Sequence, residues 1–380
     1  MLQKYKIAIL APNSLDSPSE TFIKAHYDNL DGDVSFIYGS PVPNRVWNKE
    51  TIKAKMSHKN RILSRLGLNQ LKWSIREEAL YQFLRKENFD VVLAEYGTLA
   101  SHVVNVCREL KLPLIVSFHG FDASHTSTIT SYREKYKDLF NYSSYIIGVS
   151  KKMIENLKDL GVPKSKLIYN PYGVKKDFFL TQPKYSSNNF LAVGRFVHKK
   201  APHLTLAAFR KVFEVYPNAR LIMAGNGVVT PDLSEICFDL VKLWGLDGAV
   251  SFRGSTSHDE ILELMRSSFC FLQHSVTPLS GDMEGTPVAI IEASASALPV
   301  ISTIHAGIPE VILHEKTGYL VKEKEVDKMA NYMLMLFEDR KLAKTLGESG
   351  REAMRMEYTM EKHISVINQL IRDVIRRSQN

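Results

Sequence analysis

Glu284-Gly285-Thr286-Pro287-Val288-Ala289-Ile290-Ile291-Glu292 reads as the opening of a helix, with Thr286 at the N-cap, Pro287 at the first helical position and a periodic apolar face beyond. The unpaired N–H groups and positive dipole end of such a start bind an anion, and Gly285 lets a ligand come close to the backbone. Glu292 lies four residues after Val288 and three before Ala295, on a face of small apolar residues expected to point inward. A carboxylate there needs hydrogen-bond donors, and the hydroxyls of a sugar or ribose would serve. Either glutamate alone could simply favour a helix N-terminus; the pair with its Gly-Thr-Pro spacer says more. The helix, expected over 287–297, stands between short β-branched runs at 270–272 and 300–303. Strand, turn, helix and strand again is the unit of a parallel sheet covered by helices.

The same unit recurs along the chain. In the first half it predicts strands at 6–10, 34–38, 90–94, 114–118 and 145–149, with helices near 19–30, 77–86, 99–110 and 151–160. A second set predicts strands at 190–193, 220–224 and 250–252, with helices near 202–215, 233–243 and 259–265. At 380 residues the chain exceeds one ordinary core, and roughly 150 residues per domain makes two the expectation. Asn170-Pro171-Tyr172-Gly173-Val174 and the polar stretch from Thr181 to Asn189 are the expected linker, dividing a first α/β domain over 1–180 from a second over 181–359. Helical patterns at 341–358 and 360–377 have no strand after them, so residues 360–380 are expected to cross back to the first domain.

Hydrophobic content of 44% and 24% charged residues belong to an ordinary globular chain. Cys107, Cys237 and Cys270 are widely spaced and fit neither a disulfide framework nor a metal motif, which suggests reduced core thiols. No stretch approaches the length of a signal-peptide core or a membrane span, so a cytoplasmic protein, at most peripheral on the inner face of the membrane, is expected. Residues 1–180 hold 26 Lys+Arg against 18 Asp+Glu, whereas the rest of the chain is balanced at 23 each. Within the first half, Arg45 to Arg76 contains nine basic side chains and one acid, Glu50, interleaved with Trp47, Ile52, Met56, Ile62, Leu66 and Trp73. That composition suits an anionic membrane surface. No nucleic-acid-binding motif accompanies the charge.

Ala192-Val193-Gly194-Arg195-Phe196-Val197-His198-Lys199-Lys200-Ala201-Pro202 follows a predicted strand and precedes a helix, and fixed cations at the carboxyl end of a strand suit a diphosphate. Ala224-Gly225-Asn226-Gly227 also ends a strand, a weak phosphate-binding signal by itself. In the first half, His119 of Ser117-Phe118-His119-Gly120-Phe121-Asp122 stands at the carboxyl end of a strand, where an open α/β sheet faces its ligand crevice.

The E-x7-E spacing continues into Ala293-Ser294-Ala295, Leu298-Pro299-Val300-Ile301-Ser302-Thr303, Gly307-Ile308-Pro309-Glu310 and Thr317-Gly318-Tyr319-Leu320-Val321. Over 284–321 it resembles the donor-binding region of retaining glycosyltransferases of family 4. Ser19-Glu20-Thr21-Phe22, in place of the Gly-Gly loop of many relatives, resembles a bacterial subset that builds exopolysaccharide, colanic-acid-type enzymes included, as do Gly281 to Gly285 and His305 to Glu310.

The resemblance implies the GT-B fold, two Rossmann-like domains facing each other across a cleft, with the donor bound mainly by the second and the acceptor by the first. It implies Arg195 and Lys200 as the diphosphate pair beside Gly194, with Lys199 the adjacent alternative, and Gly225, Asn226 and Gly227 as the family's phosphate turn. Arg253 would line the nucleobase, Gly285, Thr286 and Pro287 the donor, Glu284 the sugar and Glu292 the ribose. His119 would reach the donor across the cleft, while Ser19, Glu20 and Asp122 would face the acceptor. The expected activity is retaining transfer from a UDP- or GDP-sugar to a glycan acceptor, lipid-linked, in bacterial surface polysaccharide biosynthesis. No cofactor is expected beyond the donor, and no metal, because Arg195 and Lys200 would take its place. A nucleotide-sugar epimerase of the same fold and a non-catalytic nucleotide-sugar-binding protein are the alternatives.

Overall fold

The β-branched runs become strands of two separate sheets in the computed structural model, which describes residues 5–17, 20–53, 74–225 and 233–379. The first sheet contains β1 (Lys6–Ala11), β2 (Asp33–Tyr38), β3 (Arg45–Val46), β4 (Val91–Glu95), β5 (Leu114–Phe118), β6 (Tyr145–Gly148) and β7 (Leu167–Tyr169), in the order β3-β2-β1-β4-β5-β6-β7. Only β3 runs antiparallel to its neighbour. The second contains β8 (Asn189–Val193), β9 (Arg220–Ala224), β10 (Val250–Phe252), β11 (Cys270–Gln273), β12 (Val300–Thr303) and β13 (Gly318–Val321), all parallel, in the order β10-β9-β8-β11-β12-β13. Strand order reverses at β1/β4 and at β8/β11, and a crevice opens beyond the carboxyl ends of strands at such switch points.

Three short strands, β3, β7 and β13, escaped the sequence pattern, as did the helix Thr126–Tyr142. Its first turns, Thr-Ser-Thr-Ile-Thr-Ser, are poor helix formers. Burial of Tyr136, Leu139 and Phe140 holds it instead, and the Tyr136 hydroxyl donates to Asp122 O at 2.7 Å. Cys107, Cys237 and Cys270 are buried.

The last helix, Met360–Gln379, returns to the first sheet. Its stripe of Ile364, Ile367, Ile371, Val374 and Ile375 packs against Ile7, Ile9, Val91, Leu93 and Ile147, each burial contributing on the order of 1.5–3 kcal/mol. The two crossings between the sheets run side by side: Val174 N–H donates to Tyr358 O at 2.8 Å, and Met360 N–H to Val174 O at 3.3 Å. A Cβ on Gly173 would lie 2.5 Å from Met360 Cα, so only glycine lets the strands of this seam approach. The segments expected as an exposed linker are in part buried here, with Asn170, Tyr172 and Thr181 almost wholly enclosed. Backbone in a dry seam needs partners. Arg351 supplies some, donating to Ala295 O at 3.0 Å and to Thr181 O.

Candidate functional site

The carboxyl ends of β8, β9 and β10 are locked together by their glycines. Gly194 N–H donates to Ala224 O at 2.9 Å and Gly225 N–H to Gly254 O at 2.7 Å. Gly225 has φ +131°, and a Cβ there would meet Gly194 O at 2.0 Å, so this glycine serves backbone against backbone. Asn226 and Gly227 lie outside the described residues, as does Ser19. Arg253 is exposed, its backbone held by Met223 O at 2.9 Å.

Beyond β8 the two adjacent lysines separate. The single turn His198–Lys200 ends at Ala201, φ +38°, and turns Lys199 and Lys200 to different partners. Lys199, the alternative phosphate ligand of the sequence, is buried and lies 3.0 Å from the Asp282 carboxylate, with Met283 O at 3.4 Å, so here it is a strut under the 280–284 loop. Lys200 Nζ lies 3.0 Å from Glu284 Oε1 and 3.4 Å from Gln273 Oε1, at the β8/β11 switch point. Burial lowers the Lys200 pKa while Glu284 opposes the shift. Burial alone would raise the Glu284 carboxyl, yet Lys200 and Lys199 hold it down at about 2. Arg195, partly buried, makes no side-chain hydrogen bond or ion pair among the described residues. A cation lacking a counter-ion beside an enclosed ion pair is suited to receive an anion.

His305, quoted in the sequence only as part of a motif, orients this corner. The Glu284 N–H donates to its Nε2 at 3.3 Å, so its Nδ1–H points to Glu323 Oε1 at 2.7 Å. Glu292 is partly buried, and its carboxylate accepts no hydrogen bond among the described residues. Desolvation pushes its carboxyl up to about 8 against the opposing field of Lys175.

The helix after Glu284 departs from expectation at its first turn. It spans Val288–Ala295 with Pro287 at the N-cap and no side-chain cap. Thr286 is occupied elsewhere: its hydroxyl donates to Val149 O and accepts the Tyr172 N–H at 3.2 Å, both from the first domain. Gly285 likewise serves the seam, since a Cβ there would lie 2.6 Å from Val149 Cγ2 and 3.2 Å from His119 O. The 280–284 loop docks on the same side, with Met283 N–H donating to Ser124 Oγ at 2.9 Å and Thr126 N–H to Ser280 O at 2.8 Å. Glu310 completes the contact by accepting Lys151 N–H at 2.8 and 2.9 Å, one carboxylate capping the helix Lys151–Asp159.

On the first-domain side, His119 is placed at the carboxyl end of β5 but is not free to reach a ligand. Its side chain is 2% exposed, Nε2 lies 2.8 Å from Glu95 Oε2 and Nδ1 lies 2.6 Å from the Tyr172 hydroxyl. Asp122 is also enclosed. Its carboxylate accepts N–H groups of Gly97, His119 and Gly120 at 2.8, 2.9 and 3.2 Å, so it holds the loop from beneath instead of facing an acceptor. Glu20 stays at the rim of the β1/β4 crevice, accepting from the Tyr96 hydroxyl at 2.9 Å and from Asn13 Nδ2 at 3.1 Å.

Behind His119 runs a buried chain that the sequence reading missed. His26 Nδ1 lies 2.7 Å from Glu95 Oε1, His26 Nε2 lies 2.8 Å from His363 Nε2, and His363 Nδ1 lies 2.7 Å from Pro171 O. The partners assign the protons. A carbonyl only accepts, so His363 donates through Nδ1 and accepts at Nε2, and His26 donates to it. Burial opposes Glu95 ionisation, but His26 and His119 hold its carboxyl at about 2, so it is ionised and His26 donates there too. His26 thus bridges the Glu95 carboxylate and the His363 ring. Glu95 follows Ala94, the expected last residue of its strand, by one position; extending that strand would have placed a carboxylate beside His119 at the crevice. The Asp-x-Asp triplet Asp31-Gly32-Asp33 lies at the amino end of β2, the opposite edge of the sheet. Among the described residues no three His, Cys, Asp or Glu side chains are grouped to hold a metal.

The comparisons follow this division. Residues 39–178 match the family described as Glycosyltransferase Family 4, and residues 175–353 match Glycosyl transferases group 1. WcaL of Escherichia coli, a glycosyltransferase assigned to colanic acid biosynthesis, is 30% identical over 247 residues, 63% of this chain and 60% of that protein. The amylovoran biosynthesis glycosyltransferase AmsK of Erwinia amylovora is 29% identical over 253 residues, 65% of this chain and 61% of the relative. The matches thus span about three fifths of these relatives' lengths. Anabaena HepE, solved with UDP and glucose, superposes with a TM-score of 0.74 over 98% of this chain and 99% of that one at 16% identity, a likeness of fold. With two family matches that together run from residue 39 to 353, on two facing parallel α/β sheets, the chain belongs to the GT-B glycosyltransferases of family 4.

Proposed function

We propose that this protein transfers a sugar from a UDP- or GDP-linked donor to a lipid-linked glycan acceptor in bacterial surface polysaccharide assembly, with retention of anomeric configuration and without a metal. The observation that carries the reading is the cluster at the β8/β11 switch point: Arg195, without a counter-ion among the described residues, beside the Lys200–Glu284 pair. Its chemistry matches a diphosphate leaving group next to sugar hydroxyls. As the bond from the anomeric carbon to the diphosphate breaks, charge grows on the leaving oxygen, and Arg195 and Lys200 stabilise it. The acceptor oxygen attacks from the same face and its proton passes to the departing phosphate. Glu284 and Glu292 accept hydroxyls of sugar and ribose. His119 acts from behind this centre, by holding the Gly120 turn against Met283 and Gly285.

The names of WcaL and AmsK support exopolysaccharide assembly. No helix among the described residues is long and apolar enough to cross a membrane. The proposed membrane contact rests on the basic stretch, of which 54–73 lies outside the described residues; Arg45, Lys49, Lys53 and Arg76 at its described ends are exposed, whereas Trp47 and Ile52 pack inward. Equal sedimentation with neutral and anionic liposomes would remove that contact.

Incubation with radiolabelled UDP- and GDP-sugars and bacterial lipid extract tests the whole reading, with chelator present and product anomers assigned by NMR. A lipid-extractable glycan of retained configuration is expected. An altered free nucleotide-sugar would indicate epimerisation, and donor bound but unconverted would indicate a binding protein.

A further inference from the structure

At the carboxyl ends of β1 and β2 the first domain forms an open cavity of about 380 Å³ that none of the roles above uses. Its lining includes Asn13, Ser14, Tyr38, Asn44, Arg45 and Arg76, two guanidinium groups with polar side chains between them and no carboxylate. The volume is that of a small-ligand site. Arg45 is held by β3, opposite Tyr38 in the antiparallel register, and Arg76 is pinned by one nitrogen on Ser40 O at 2.6 Å. Both keep further N–H donors for a ligand, and neither has an ion-pair partner among the described residues. Hydrogen bonds link its wall to the crevice: Asn13 donates to Glu20, which accepts the Tyr96 hydroxyl at the β1/β4 switch point. In the strand order β3-β2-β1-β4, Arg45 on β3 lies two to three strand spacings, each about 4.8 Å, from the β1/β4 switch point.

We propose that this cavity binds a phosphate or diphosphate carried by the acceptor, with Arg45 and Arg76 as its ligands. The proposal rests on the reading that the first domain holds the acceptor. Paired guanidinium groups match the planar, multidentate geometry of phosphate oxygens better than lysines would. The hydroxyl and amide groups between them suit the sugar attached to that phosphate. This site is separate from the donor's diphosphate site, which belongs to the second domain, so the protein has two phosphate sites on opposite walls of one cleft. The excess of basic residues in the first half of the sequence, against a balanced second half, is consistent with the added anion.

The test is calorimetric titration of inorganic diphosphate into the full chain already saturated with UDP or GDP, whichever binds. One further equivalent is expected to bind. Affinity should fall at least tenfold in Arg45→Ala/Arg76→Ala and be unchanged in Arg195→Ala, while Arg45→Lys should recover part of it. The thermal melts of these surface variants report folding. A sugar 1-phosphate and a short-chain prenyl-diphosphate sugar are then used as competitors: displacement by the soluble compound alone identifies a free sugar phosphate, and stronger displacement by the prenyl compound a lipid-linked one. No further equivalent, equal binding by the arginine double variant, or displacement by neither competitor overturns the proposal. Failure of both nucleotides to bind would count against the donor-site reading instead, and the first-domain site would still be read from the Arg45/Arg76 and Arg195 variants without nucleotide.

Discussion

Lys200 Nζ stands 3.0 Å from Glu284 Oε1, with the two side chains 15% and 8% exposed, and this contact joins the loop after β8 to the turn before the helix Val288–Ala295. Removing one member of so enclosed a pair leaves the other charge without compensation, at a cost of about 3–5 kcal/mol. Lys200→Ala should therefore lower unfolding stability by about that amount, and Glu284→Gln by less, since the amide oxygen still accepts from Lys200 Nζ. The double variant should cost clearly less than the sum of the two. Urea denaturation of the four proteins checks this, and strict additivity would refute the coupling.

Arg195 gives the opposite profile. With no described partner its loss should change stability by less than about 0.5 kcal/mol. If it stabilises the leaving diphosphate, Arg195→Ala should reduce kcat/KM roughly 100- to 1,000-fold. Lys199→Ala should behave differently, losing more in melting temperature than in turnover, because Lys199 supports the 280–284 loop through Asp282. Parallel Tm and steady-state measurements on the two variants separate the roles. Equal loss of turnover in both would contradict the assignment.

These two neighbours show how far the sequence could be read. Both lysines belong to one motif, and the strand–turn–helix pattern locates the motif, because it depends on local periodicity. Which lysine faces the cleft depends on the left-handed Ala201 and on Asp282, more than eighty positions away. The same distinction explains Thr286. Its local context is that of an N-cap, but Val149 and Tyr172 claim its hydroxyl once the domains meet. β5 is legible to the residue because a buried parallel strand is a nearly continuous apolar run, broken here only by Ser117. His26, Glu95 and His363 were not legible: they come from three distant segments and meet only through the tertiary fold.

That buried chain should make the fold acid-sensitive. Glu95, held at about 2, contributes stability that is complete above the ordinary carboxylate pKa of 4.5 and is lost as pH falls toward 2. His363, chiefly through burial, is depressed from 6.5 to about 3, so the unfolded chain binds a proton that the folded one refuses. Stability therefore falls as pH drops from 6.5 toward 3. The two effects have the same sign. His363→Gln should flatten the dependence of unfolding free energy on pH between 6.5 and 4.5, measured by urea titration at a series of pH values. An unchanged slope would show that His363 is not a proton-linked site.

Glu292 titrates in the other direction. Its carboxyl is raised by desolvation to about 8, so between pH 4.5 and 8 the folded chain holds a proton that the unfolded chain has released. Its contribution to stability falls as pH rises through that window. Glu292→Gln removes the ionisation, so its melting temperature relative to the parent should rise steadily from pH 5 to pH 8. If the carboxylate accepts ribose hydroxyls, the same variant should bind donor more weakly. Higher stability combined with poorer binding is the outcome to look for, and a melting difference independent of pH would exclude the titration.

Gly307 tests the seam itself. Its φ of −78° suits any residue, so on backbone grounds alanine would be neutral or slightly favourable there. Space decides otherwise: a Cβ would lie 2.3 Å from Gly285 O and 2.9 Å from Ser150 Cβ, backbone of the second domain and the helix cap of the first. Neither neighbour can yield without shifting Gly285 away from His119 or Ser150 away from Met153 N–H. Gly307→Ala should thus cost about 1–3 kcal/mol. It should also open the cleft, lowering transfer and enlarging the radius of gyration in solution scattering, while nucleotide binding by the second domain persists. A variant that keeps the parent's radius and stability would mean that the two domains do not close on this contact in solution.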